Sequence, residues 1–410
     1  MPDPAVPFDS IVALLQALVR TPSRAGSDAP TPVVRCMQDW LGARGLASRL
    51  LRGADGEMLG LCAEVAGTRP DGPWTVLDAT LDTAGFGDAA TWTGSSTTDA
   101  RIADGWLHGR GSADSKGGAA LFAHLLEDFG RERDRFAGRL GVLFDLDEHS
   151  GRFGGARAFF DHPHDGTPPP RPDGVLIGYP GMERIVTGGR GFLRARLGVH
   201  GIAAHSGATR RRGLNAITRA TALVQALEAA PLPGPDPTFG LAPRLTLTGI
   251  EAGDGGYSQV PDRCELRVDL RLTPDFTDAQ ARDWMRRTVD RLDAGCASGA
   301  ATTIAWTAGW PAYRVPDANP MVAALRAASR AELGRALPTG VAGPSNIGNY
   351  LHGLGVPALC GFGLRGENIH AADERIALDS IGPVYRIYRD ALRRLHRPAS
   401  PAQLAMAATP

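Results

Sequence analysis

The chain has 410 residues, with 44 acidic and 44 basic side chains and a formal net charge of zero. That length can supply two domain cores, and the even charge gives no footing for a nucleic-acid or anionic-membrane partner. No apolar run reaches the roughly 18 residues of a membrane-spanning helix, and Met1-Pro2-Asp3-Pro4 opens without the basic and apolar regions of a secretory signal. The five cysteines (Cys36, Cys62, Cys264, Cys296, Cys360) are scattered, odd in number and free of CxxC spacing. Free thiols in a reducing, cytoplasmic compartment are therefore expected.

In chain order, Phe8 through Arg20 and residues 31–45 space their apolar side chains as amphipathic helices. Apolar runs follow at 58–66 and 74–79, and the second reads as a buried strand. It ends at Thr80-Leu81-Asp82. Carboxyl ends of strands are where α/β proteins place ligands, which marks Thr80 and Asp82. Next comes a glycine-punctuated turn, Gly109-Arg110-Gly111-Ser112-Ala113-Asp114-Ser115-Lys116-Gly117-Gly118, followed by a helix-forming run from Ala119 to Leu126. A carboxylate there, Asp114, gains from the helix N-terminus and can hold a cation; the plainer alternative is a helix cap. Lys116 is the only lysine in the chain.

The strand Arg139–Asp145 stops at Leu146-Asp147-Glu148-His149, and Gly174–Ile177 stops at Gly178-Tyr179-Pro180. Acids and a histidine at a strand end are costly to pack without a purpose, although a solvated acidic turn would also fit. Strand alternating with helix predicts an α/β fold with a mainly parallel sheet. From about residue 185 the pattern changes to strand 185–199, helix 212–230, strands 245–250 and 264–272, helix 278–294 and strand 302–306. That order is the split βαβ arrangement of an α+β, ferredoxin-like sheet. We take 186–308 as an inserted domain, with 1–185 and 309–410 forming one discontinuous domain around it. The latter resumes with helix 319–333, a short helix at 345–352, strand 356–360 and helix 380–395, before a loose tail after His396.

The polar residues at these ends are Asp82, Asp114, Glu148, His149 and, late in the chain, His370. With the Gly-Arg-Gly-x-x-Asp-x-Lys-Gly-Gly loop, the Asp147-Glu148 pair, Gly201 through Ser206, Val260-Pro261-Asp262-Arg263 and the strand ending at Arg271, they resemble a di-zinc metallopeptidase family. It includes aminoacylase, carboxypeptidase G, succinyl-diaminopimelate desuccinylase and acetylornithine deacetylase. The resemblance spans nearly the whole chain and implies a catalytic metal-binding domain carrying an inserted lid and dimerisation domain. By the same resemblance Asp114 would bridge two zinc ions and Glu148 would be the general base. His205, from a neighbouring subunit's lid, would reach the oxyanion. Arg271 would grip a substrate carboxylate, a task suited to a fixed guanidinium fork, and Asn346 would line the pocket.

Three of the family's five metal-ligand positions differ here. Thr80-Leu81-Asp82 stands for His-x-Asp, His149 for the second acid of a pair, and Tyr179 for the acid before proline. One family site becomes Asp114, His149 and His370, a three-ligand zinc site with an open fourth position. The other becomes Thr80, Asp114 and Tyr179, and a phenol with a pKa of roughly 10 is a poor zinc ligand. One zinc per chain is therefore expected, the alternatives being a metal-free site and a two-metal site. Tyr179 could donate to an oxyanion or substrate group, and Asp82, without its histidine, could meet a substrate amine or stay solvated. The function expected is mono-zinc hydrolysis of an amide in an N-acyl amino acid, dipeptide or other amino-acid-derived molecule bearing a carboxylate. A non-hydrolytic biosynthetic reaction (acyl transfer, cyclisation or elimination) and an inactive binding homologue are the alternatives. A homodimer through the lid is expected, because His205 needs a neighbour.

Overall fold

A computed structural model describes residues 6–94, 96–163, 167–209, 213–253, 256–295 and 301–398. Its elements in chain order begin with α1 (Phe8–Val19), α2 (Thr31–Gly42), β1 (Ser48–Arg52), β2 (Met58–Ala66) and β3 (Arg69–Asp78). Next come α3 (Gly117–Arg131), β4 (Ala137–Asp145), α4 (Gly154–Phe160) and β5 (Gly174–Ile177). Then follow β6 (Gly191–His200), α5 (Ala216–Ala229), β7 (Arg244–Ala252), β8 (Arg263–Leu272), α6 (Asp278–Ala294) and β9 (Thr303–Trp310). The chain closes with α7 (Pro320–Leu333), α8 (Ile347–Gly353), β10 (Ala358–Cys360) and α9 (Ile381–Leu395).

Two compact units result: Met1–Thr187 with Val315–Gly340 and Asn346–Pro410, and Gly188–Arg314 with Val341–Ser345. The large unit holds a six-stranded sheet in the order β1-β2-β4-β3-β5-β10. β4, β3, β5 and β10 run parallel, and β2 and β1 add an antiparallel flank. The expected mainly parallel α/β sheet is therefore present. Its core strands are apolar on both faces, with Val76, Leu77, Leu140, Val142, Leu143, Val175 and Leu176 all buried, as parallel strands covered on two sides require. α3 can lie close on the sheet because Gly118 has no side chain: a Cβ there would sit 2.2 Å from the Gly178 carbonyl oxygen. Gly111, at φ +82°, gives the turn before α3 its left-handed bend.

The small unit is an antiparallel sheet in the order β7-β8-β6-β9. α5 and α6 cover one face, where Leu193, Leu197, Leu223, Leu266, Leu270 and Met285 form a common core. Thr277 and Gln280 close a capping box at the start of α6.

Some boundaries differ from the sequence reading. The single strand expected over 185–199 is interrupted at Arg190, between strands Ile185–Gly189 and Gly191–His200, where Gly188 and Gly191 admit neighbouring backbone: a Cβ at either would lie 2.3 Å from a carbonyl oxygen, of Tyr313 or Trp310. The helix expected from 212 starts at Ala216, because Asn215 accepts hydrogen bonds from Ile217 N and Thr218 N as its cap; residues 210–212 lie outside the described residues, as do Cys296 and the tail from 399. β1 was not expected.

Candidate metal centre

The turn of residues 112–116 after the glycines holds Asp114 at the mouth of α3, 8% exposed. A buried carboxylate fixes that turn. Glu374 Oε1 accepts hydrogen bonds from the backbone N–H groups of Ala113 (3.0 Å) and Asp114 (3.1 Å). Its Oε2 pairs with Arg110 Nη1 at 2.6 Å, with the side chains 0% and 2% exposed. Glu374 also lies four residues after His370, so one side chain ties the Asp114 turn to the His370 loop. Lys116 donates to the Leu18 and Thr21 carbonyls at 2.9 Å each, which anchors α1 to the turn.

His149 leaves the end of β4 and is 5% exposed. Its Nε2 lies 3.7 Å from Asp114 Oδ2 and its Nδ1 3.3 Å from Asp82 Oδ2. Neither nitrogen has a hydrogen bond of good geometry, and Asp114 Oδ1 is likewise buried without a partner. His370 Nε2 lies 2.9 Å from the same Asp114 Oδ2, and the two imidazole rings sit 5.1 Å apart. Donor atoms of Asp114, His149 and His370 all fall within 4.8 Å of one another. One carboxylate and two imidazoles converge, with Asp114 Oδ1 and both His149 nitrogens buried and unsatisfied and His370 exposed at the edge, and this set fits a zinc ion with an open coordination position. Both hydroxyls expected at the other site already serve as hydrogen-bond donors: Thr80 donates to Asp82 Oδ1, and the Tyr179 hydroxyl donates to Glu148 Oε1. Burial, with Glu148 and Asp114 nearby, pushes the Tyr179 phenol well up. Thr80 and Tyr179 do not fit a second ion.

The charges reinforce one another. Burial raises Asp114, but His149 and His370 outweigh it and bring its carboxyl to about 2. Burial lowers His149, but Asp114 and Asp82 outweigh it and lift the imidazole to about 11. Glu148, beside them, is raised to about 7 by burial and by Asp114 and Asp82, against the opposing pull of His149 and Tyr179. A carboxyl poised there can both take and return a proton near neutrality.

Asp82 stands differently from either expectation. It is 3% exposed. Its oxygens receive the Thr80 hydroxyl and the backbone N–H groups of Glu148 (3.3 Å) and His149 (3.2 Å). It therefore faces the His149 ring from behind, which leaves it neither solvated nor open to a substrate amine. Asn346, 3% exposed, caps α8 by accepting from Gly348 N. Two further acids went unnoticed in the sequence: Asp78 and Asp145, fully buried at the ends of adjacent strands, with no hydrogen-bond partner for either carboxyl. Burial and Glu148 push Asp78 well up, and burial with Asp78, Asp82 and Glu148 does the same to Asp145.

In the small unit, Ala204–His205 pairs with Gln259–Val260 in a two-stranded ribbon. The exposed His205 accepts from Gly207 N at Nδ1, 3.0 Å away. Arg271 is next to last in β8, with Nε 2.7 Å from Asp269 Oδ1.

The profile of peptidase family M20/M25/M40 matches residues 76–394. The chain is 29% identical over 397 residues to a succinyl-diaminopimelate desuccinylase of Methylobacterium nodulans, covering 93% of this chain and 95% of that one. Among solved structures, a tripeptidase from Staphylococcus aureus superposes with a TM-score of 0.76 at 18% identity, covering 96% of this chain and 99% of that one. A Bacillus subtilis protein described as a dinuclear metal binding peptidase of the M20 family superposes with a TM-score of 0.66 at 15% identity, over 94% and 97%. These two structures share the fold.

Proposed function

The chain belongs to peptidase family M20/M25/M40 and is a metal-dependent hydrolase of amide bonds, and from that premise we propose that it works with one zinc ion held by Asp114, His149 and His370. The observation that carries this reading is the converging donor set, set against the engaged hydroxyls of Thr80 and Tyr179. A zinc ion in this place supplies Lewis acidity to water and to a substrate carbonyl.

The remaining work falls to the chain's own side chains. Glu148 takes the proton of the attacking water and returns it to the leaving nitrogen, which its raised carboxyl suits. The Tyr179 hydroxyl holds Glu148 in place. Asp82 braces the His149 ring and the backbone on which Glu148 rides. His205 stabilises the oxyanion from a partner's lid, in a homodimer formed through the small unit. Arg271 grips a carboxylate of the substrate, an N-acyl amino acid or dipeptide, in keeping with a relative named succinyl-diaminopimelate desuccinylase. The large unit is the catalytic domain and the small unit the lid.

Elemental analysis of the purified protein, paired with amine release from a panel of N-acyl amino acids and dipeptides, tests the proposal. About one zinc per chain is expected, with Glu148→Gln retaining zinc and losing turnover. Two tightly held ions, or activity surviving in Glu148→Gln, would remove its basis.

A further inference from the structure

The open face of the small unit's sheet, opposite α5 and α6, carries an unusual charge. A cavity of about 590 Å³ there is lined by Arg190, Arg194, Arg244 and Arg271, with Thr246 and a single acid, Asp269. Four guanidiniums thus face one carboxylate. Asp269 is already shared, its Oδ1 2.7 Å from Arg271 Nε and its Oδ2 3.1 Å from Arg194 Nε. Arg190 is fixed by the Gly343 and Ala242 carbonyls, at 3.1 Å each. The Arg244 side chain is exposed and has no hydrogen bond or ion pair among the described residues. In the β7–β8 ladder it lies directly opposite Arg271.

Like charges directly opposite each other destabilise an antiparallel pair. Local rules are broken in this way mostly where function repays them. The field is felt at Arg190, whose guanidinium is lowered by burial and by Arg271 and Arg244, with Asp269 opposing. With four guanidiniums against the one carboxylate of Asp269, a ligand with a single carboxylate would leave two positive charges uncompensated.

We propose that this cavity binds a ligand carrying two or more negative charges, with Arg244 holding the charge that Arg271 does not. The ligand's chemistry is that of a compact dianion, either a dicarboxylate or a phosphate. Guanidinium forks match both geometries. Calling that ligand a substrate rests on the hydrolase reading above; the binding itself does not.

The test is calorimetric titration of the full-length protein at low ionic strength with acetate, succinate and inorganic phosphate. At least one of the two dianions should bind about tenfold or more tighter than acetate. Arg244→Gln should remove most of that advantage and Arg244→Lys should keep part of it. Arg287→Gln, the same charge loss at an exposed position on α6, should leave it intact. Which dianion binds more tightly assigns the ligand as dicarboxylate or phosphate. If neither dianion exceeds acetate, or if the advantage survives Arg244→Gln or falls equally in Arg287→Gln, the proposal is overturned. No turnover enters the measurement, so a protein without amidase activity would still show the difference.

Discussion

Glu148 owes its character to its neighbours. Burial and two carboxylates push it up, while the hydrogen bond from Tyr179 favours its charged form and pulls it down. Removing the hydroxyl therefore lifts it further. In Tyr179→Phe we expect the acid limb of the kcat/KM profile to move to higher pH, so that the rate falls more at pH 6 than at pH 8. A limb that stays in place, or moves to lower pH, would show that the hydroxyl does not act through Glu148. The metal-competent trio was named through the family resemblance: Asp114 and His149 also stood out at a helix mouth and a strand end, whereas His370 carried no local signal. Glu374 was not legible, since the backbone groups it holds at Ala113 and Asp114 are 261 and 260 residues away in sequence. Nor was the bracing role of Asp82, which depends on the fold of residues 148 and 149 around it.

Among the helices, α3 carries a second kind of information. His124 sits inside it, 1% exposed, with Nδ1 2.7 Å from the Ala120 carbonyl and Nε2 2.8 Å from Ser10 Oγ. Burial pushes its imidazole down to about 4. His396, after α9, is also lowered by burial. The unfolded chain takes up these protons below about pH 6.5 while the folded chain resists. Stability is therefore lost as pH falls from about 6.5 to 4, by up to about 3 kcal/mol for His124. Denaturant titrations across that window should show a flatter pH dependence in His124→Gln than in the parent; identical slopes would place the acid sensitivity elsewhere. Long periodic elements such as α6 and β8 were legible because one apolar face repeats along them. β1 was missed because Ser48, Arg49 and Arg52 hide its two leucines, and its strand character comes from pairing with β2. The break at Arg190 was equally hidden, since alternation of side chains continues across it.

At the level of the assembled protein, the proposal for His205 has a sharp consequence. If the histidine serves a neighbour's site, His205→Ala should lower turnover by roughly 10²–10³. Refolding His205→Ala together with Glu148→Gln should then restore activity that neither variant has alone, because a mixed dimer contains one site with both groups intact. Failure to recover activity would mean that each chain uses its own His205, or that the residue is idle.

The chain passes between its two units four times, at 187–188, 314–315, 340–341 and 345–346. No contiguous segment holds either unit complete. Excising 188–314 would leave the five residues Val341–Ser345 stranded in the remainder, including Gly343 and Ser345, whose partners Arg190 and Arg271 would be gone. Grafting the small unit onto another scaffold, or exchanging it between relatives, thus requires moving two separate segments of the gene through four junctions. A chimera that moves only the long insert would arrive without the short strip that completes its arginine-rich end.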